Sequence, residues 1–112
     1  MPPKDLQLVI TCEKETVTLT LAGEARFDLG TSDTHIRSVM RHAPKTVVVD
    51  ARELSFITSI GMCFLINLRR AVRETGGTMH LQGLQPQVQK VMETAHVLHL
   101  FDLPPEQVRE NH

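Results

Sequence analysis

The hydroxyl pair Thr58-Ser59, followed by glycine at Gly61, is the feature of this sequence most capable of chemistry. It lies in Phe56-Ile57-Thr58-Ser59-Ile60-Gly61, directly ahead of a strongly apolar stretch with helical spacing. A helix begins with backbone amides that have no intrahelical acceptor, and a Ser or Thr at that point accepts a hydrogen bond from one of them. The same geometry suits a phosphate, because a phosphoryl group on Ser59 would face unpaired amides and the positive end of the helix dipole. Two chemistries therefore stay open: capping by Thr58 or Ser59, or reversible modification of Ser59, whose added charge would repel an acidic or apolar docking surface.

Other reactive patterns are incomplete. A nucleophile elbow needs glycine two residues before its serine, where this chain has Ile57, and no base lies beside Ser59. His35, His42, His80, His96, His99 and His112 are scattered; only His96 and His99 share helical spacing, with no carboxylate or cysteine completing a metal set. There is no phosphate-cradling glycine loop ending in Lys-Ser or Lys-Thr and no dinucleotide fingerprint. The expectation is a protein with no catalytic residue, no metal and no cofactor, which is not an enzyme. Cys12 and Cys63, far apart in apolar contexts, read as buried reduced thiols.

The elements that must hold Ser59 follow from periodicity. Apolar and polar residues alternate from Leu6 to Cys12 and from Val17 to Leu21, which predicts two half-buried strands in a hairpin across Glu13-Lys14-Glu15, ended by Gly23. After Asp28 and Gly30, with Thr31 and Ser32 as cap candidates, Ile36, Val39 and Met40 outline a helix that stops before Pro44. Thr46-Val47-Val48-Val49-Asp50 lacks polar alternation and predicts a central strand covered on both faces. A loop over 51–58 then leads to a long helix from Ser59 to Glu74. In it Leu65, Leu68 and Val72 share a face, Arg69, Arg70 and Arg73 gather near the end, and Gly76-Gly77 stops it. Thr78 to Leu81 is a short strand, and Pro86 opens a helix carrying Val88, Val91, Met92 and Ala95. Pro104-Pro105 leaves room for a short terminal helix. The fold class is α/β: a mixed four- to five-stranded sheet with three to four helices packed mainly on one face.

The run Ile60, Met62, Cys63, Phe64, Leu65 and Ile66 is apolar all round the helix, more than one packed face requires, so the core takes part of it and a partner could cover the rest. A length of 112 residues fits one domain, with a core from about 6 to 101 and short tails. No internal repeat, linker or low-complexity segment divides it. The net charge of -1, without runs of like charge, argues against nucleic acid or anionic membrane as main partner. The longest apolar stretch, Ile60 to Ile66, is too short to span a bilayer and the N-terminus has no apolar signal core, so a cytoplasmic protein is expected.

Val47-Val48-Val49-Asp50, the Phe56 to Gly61 segment, the helix through Glu74, Gly76-Gly77 and Leu81-Gln82-Gly83-Leu84 together resemble the STAS domain, shared by sulphate transporters and anti-sigma factor antagonists. The likeness runs from the first strand to about Phe101. In the antagonist branch the motif before the long helix reads Asp-Ser-Ser or Thr-Gly, and aligning on Gly61 makes Ser59 the phosphoacceptor. Thr58 stands where that branch carries aspartate and Ile60 where it carries a second hydroxyl residue, which leaves Thr58 as the second-choice acceptor.

The resemblance implies a bacterial partner switch in transcription regulation. The unphosphorylated protein docks through Thr58, Ser59, Ile60, Gly61 and Met62 onto an anti-sigma factor that is also a serine kinase with a GHKL-type ATP-binding fold. Phosphate at Ser59 blocks docking until a serine phosphatase removes it. Asp50 matches an acidic residue of the family and is expected to support the loop before the helix by accepting from its amides. The alternative is an accessory subunit of a lipid-transport ABC system or a stress-signalling scaffold, holding its partner whatever the state of Ser59.

Overall fold

Alternating apolar residues in adjacent strands line up into rows on one side of a sheet, and those rows organise this fold. The computed structural model describes residues 7–25, 29–97 and 100–101. Strands β1 (Gln7–Glu13) and β2 (Thr16–Ala25) form an antiparallel hairpin, with Glu13 opposite Thr16 and Lys14 at φ +57° in the turn. Helix α1 (Leu29–Met40) returns the chain to β3 (Thr46–Ile57), parallel to β2; α2 (Ser59–Glu74) returns it to β4 (Thr78–Gln82), parallel to β3; α3 (Pro86–Thr94) follows. The strand order is β1-β2-β3-β4, a four-stranded mixed sheet with three helices.

Parallel register places Val17, Val47 and Met79 in one row and Leu19, Val49 and Leu81 in the next, all buried. Val39 of α1, Phe64, Leu65, Leu68 and Val72 of α2, and Val88 and Met92 of α3 complete this core. The opposite side of the sheet carries the intervening residues, among them the row Thr18, Val48 and His80. Val9, on that side of β1, is 54% exposed. A helix end then fixes the spacing between β3 and β4. The amides of Gly76 and Gly77 donate to Arg73 and Val72 carbonyls at 3.0 Å each, the paired bonds of a Schellman stop. Gly76 supplies the positive φ of +83°, and a Cβ on Gly77 would lie 2.9 Å from the Lys45 carbonyl oxygen, so only glycine lets the chain turn this closely past β3.

Several expectations are corrected. β3 is covered on one face only; Val48 is half-buried because its β-branched neighbours pair within the sheet rather than under a second helical layer. Residues 51–57 continue β3 instead of forming a loop, since β2 also runs on past Gly23 to Ala25 and pairs with them. Thr31 and Ser32 lie inside α1, which begins at Leu29, so neither is its cap. Cys12 and Cys63 are exposed, Cys12 near the end of an edge strand and Cys63 on the outward side of α2. On α3, Val91 is 36% exposed and Gln89 buried in its stead. The chain tails and the segment after Pro104-Pro105 lie outside the described residues.

Candidate functional site

β4 ends where Gln82 pairs with Asp50, yet β3 continues to Ile57. The overhang of 51–57 therefore has β2 along one edge and no strand along the other, which leaves backbone groups to satisfy. Side chains from the start of α3 supply them: Gln85 Nε2 donates to the Arg52 carbonyl at 2.7 Å and Gln87 Nε2 to the Ser55 carbonyl at 3.4 Å. Toward β2, Ser55 Oγ donates to the Gly23 carbonyl at 3.1 Å, beside the irregular pairing around Gly23. Leu54 and Ile57 anchor the overhang in the core.

At the base of the overhang, the Arg52 guanidinium forks onto Asp50, Nε to Oδ1 at 3.0 Å and Nη2 to Oδ2 at 2.8 Å, while the Arg52 amide donates to Oδ1 at 3.1 Å. Asp50 is 7% exposed. The side-chain hydrogen bond from Arg52 lowers its pKa, outweighing a burial effect that raises it. Gly83, at φ +72°, underlies this fork: a Cβ there would come within 2.1 Å of Arg52 Cγ. Asp50 thus accepts from the backbone directly after it, and also fixes a guanidinium that sequence reasoning did not single out.

At the far end of the overhang the two hydroxyls part. Thr58, extended at φ -94° and ψ 172°, is the N-cap of α2, and its Oγ1 accepts from the Gly61 amide at 3.1 Å. Ser59 is the first helical residue, and it is exposed. Among the described residues, none shares a hydrogen bond with the Ser59 hydroxyl. The first full helical bond runs from the Met62 amide to the Thr58 carbonyl at 2.9 Å, so the Ser59 and Ile60 amides stand at the open, positive end of a helix of 16 residues. Two apolar residues close to the serine in the chain are exposed, Phe56 at 40% and Ile60 at 39%.

Of the residues expected to dock a partner, Ser59 and Ile60 are exposed, Thr58 and Met62 half-buried, and Gly61 buried. Asp50 stands apart from them, separated by the strand length of the overhang, about 20 Å. Sequence reasoning missed Arg52, Gln85, Gln87, the packing of Gly83 against Arg52 and the exposure of Phe56; the signal available for the glutamines was their position astride Pro86. Among the described residues no group of three His, Cys, Asp or Glu side chains is placed to hold a metal, and no helix is long and apolar enough to cross a membrane.

The mixed α/β sheet thus presents one helix start at which an exposed serine, Ser59, precedes the exposed Ile60 in the chain. The STAS domain profile matches residues 6–111, and the chain belongs to the STAS domain family. No curated protein matches it in sequence. Among solved structures it is similar to an anti-sigma factor antagonist from Mycobacterium paratuberculosis, with 17% identity and TM-score 0.74 over 92% of this chain and 88% of that one. The anti-sigma factor antagonist SpoIIAA in its unphosphorylated form has 22% identity and TM-score 0.69 over 96% and 94%. Its phosphorylated form, from Bacillus, has TM-score 0.63 over 96% and 97%, again at 22% identity. A sulfate transporter family protein from Wolinella succinogenes has 16% identity and TM-score 0.68 over 82% and 75%. At these identities the likeness is one of fold.

Because Thr58 carries the cap and Ser59 does not, Thr58→Ala costs about 0.5–2 kcal/mol of stability, whereas Ser59→Ala stays within about 0.5 kcal/mol of the parent, as expected of an exposed position. Urea denaturation of both variants checks this, and equal losses would contradict the assignment. Asp50 gives a second expectation. Its folded pKa is depressed, so its stabilisation is present above the unfolded value of about 3.9 and fades as pH falls through the folded value. Asp50→Asn costs about 1–3 kcal/mol at neutral pH, and the gap to the parent narrows on acidification below about pH 4; a gap that stays constant or widens counts against the fork.

Proposed function

We propose that this protein is an anti-sigma factor antagonist that docks an anti-sigma factor through the start of α2 and is released by phosphorylation of Ser59. The carrying observation is the division of labour between adjacent hydroxyls: Thr58 closes the helix, and Ser59 offers an exposed oxygen on the next residue. A kinase can modify Ser59 without unmaking the cap. The new phosphate, of charge about -1.5 to -2, sits at the positive end of α2, so the folded domain accepts it.

The same charge is unfavourable for docking. Phe56 and Ile60, which bracket Ser59 in the chain, present apolar area, and a partner that covers them and Ser59 must also cover the phosphate and strip its water. The partner class is an anti-sigma factor that serves as the serine kinase, with a GHKL-type ATP-binding fold. It supplies the nucleotide and the phosphoryl transfer, a serine phosphatase resets the switch, and the exchange takes place in the cytoplasm. This chain supplies the acceptor oxygen and the surface. The similarity in fold to antagonists in both phosphorylation states supports this reading.

The test is calorimetric titration of purified anti-sigma serine kinases from the source organism into the parent, Ser59→Ala and Ser59→Asp, followed by incubation with ATP and mapping of any phosphate. The expected result is one kinase that binds parent and Ser59→Ala alike and binds Ser59→Asp at least tenfold more weakly, about 1.4 kcal/mol, with phosphate on Ser59 and none on Thr58. A partner held equally by all three proteins sinks the proposal and favours a constitutive subunit.

A further inference from the structure

The second half of α2 carries a feature that the Ser59 reading does not use. Arg69, Arg70 and Arg73 line a groove of about 430 Å³ to which, among the described residues, Ile66, Glu74 and Leu100 also contribute. Arg70 and Arg73 are exposed, Arg69 is half-buried, and Ile66 and Leu100 form a half-buried apolar floor. Among the described residues none of the three guanidinium groups forms an ion pair, and Glu74 is the one carboxylate in the lining. The negative end of the α2 dipole favours cations here, which explains one basic residue in the last turn; three around an apolar floor exceed that need.

We infer that this groove is a docking site for an acidic segment of a partner protein, whose carboxylates pair with Arg69, Arg70 and Arg73 while an aliphatic side chain covers Ile66 and Leu100. Guanidinium groups take carboxylates in forked pairs, and the charge of the described lining residues, three cations against one anion, favours an acidic ligand. A small inorganic anion would engage guanidinium groups and leave the apolar floor wet. A peptide carrying both kinds of side chain satisfies both. From Ile66 to Arg73 the helix rises about 10 Å, room for a few extended residues.

The groove also shares a side of α2 with the helix start. At 3.6 residues per turn, Ser59, Cys63 and Arg70 fall within an arc of about 40°, and Arg70 lies about 16 Å along the axis from Ser59. One partner can therefore span both. The test uses no anti-sigma factor, so the groove and the Ser59 reading stand or fall separately.

The experiment titrates the isotope-labelled full chain with a short synthetic peptide of Glu-Glu-Leu repeats, following backbone amide resonances. Saturable shifts confined to residues 66–74 and to Leu100 are expected. The affinity should fall several-fold as ionic strength rises from about 0.01 M to 0.15 M, where the screening length shortens from about 30 Å to 8 Å. Arg70→Glu combined with Arg73→Glu should weaken binding at least tenfold while circular dichroism shows an unchanged fold. Three results overturn the inference: shifts that do not saturate or scatter over the surface, equal binding of the same peptide with Gln for Glu, and displacement of the peptide by inorganic phosphate at equal concentration. The last would assign a small-anion site.

Discussion

A strand that outruns its neighbour must find other partners for its backbone, and this constraint on β3 shapes the end of the molecule that carries Ser59. β4 stops opposite Asp50, and beyond it Glu53, Leu54, Phe56 and Ile57 pair with β2 on one side while side chains reach the Arg52 and Ser55 carbonyls. Gln85 and Gln87 reach back from the start of α3 to the Arg52 and Ser55 carbonyls, so the third helix is tied to the strand that delivers the second. The Asp50–Arg52 fork, lying over Gly83, fixes where the overhang departs from the sheet. Leu54 and Ile57, fully or almost fully buried, fix where it arrives. Thr58 then begins α2 from a position set by three elements rather than by a free loop.

That rigidity matters for a binding surface. A docking patch on a mobile loop must be ordered at the moment of association, at a conformational cost that a preformed patch avoids. Here Phe56, Ser59 and Ile60 belong to elements whose backbones are already paired or helical. The cap and the hydroxyl proposed for modification are adjacent but distinct, so charge added at Ser59 would leave in place the hydrogen bond that defines the helix start.

Much of this was legible in the sequence because it rests on local rules. Alternation gave β1 and β2, the Ser59–Glu74 periodicity and Gly76-Gly77 gave α2 with its stop, and the hydroxyls before an apolar helix marked the start of that helix. What escaped was non-local. Residues 51–57 mix Arg52, Glu53 and Ser55 with apolar positions and read as a loop; only their pairing with residues 22–25 of β2 makes them a strand. Val47-Val48-Val49 reads as buried on both sides, since β-branched residues suit any strand and do not report how many layers cover it. Cys12 and Cys63 are flanked by apolar residues in sequence, yet a position near the end of an edge strand and another on the outer side of a helix leave both exposed. No local pattern announces that Gln85 and Gln87 will stand in for a strand, because the carbonyls they serve lie more than thirty residues earlier in the chain.

The most direct measurement places phosphoserine itself at position 59 by site-specific incorporation, and records the amide spectrum, the thermal midpoint and the affinity for the anti-sigma kinase. The account predicts resonance changes confined to the neighbourhood of residues 56–62, a thermal midpoint equal to or above that of the unmodified chain, and docking weakened at least tenfold. Phosphorylated protein that unfolds α2, or that docks as tightly as the unmodified chain, would contradict it.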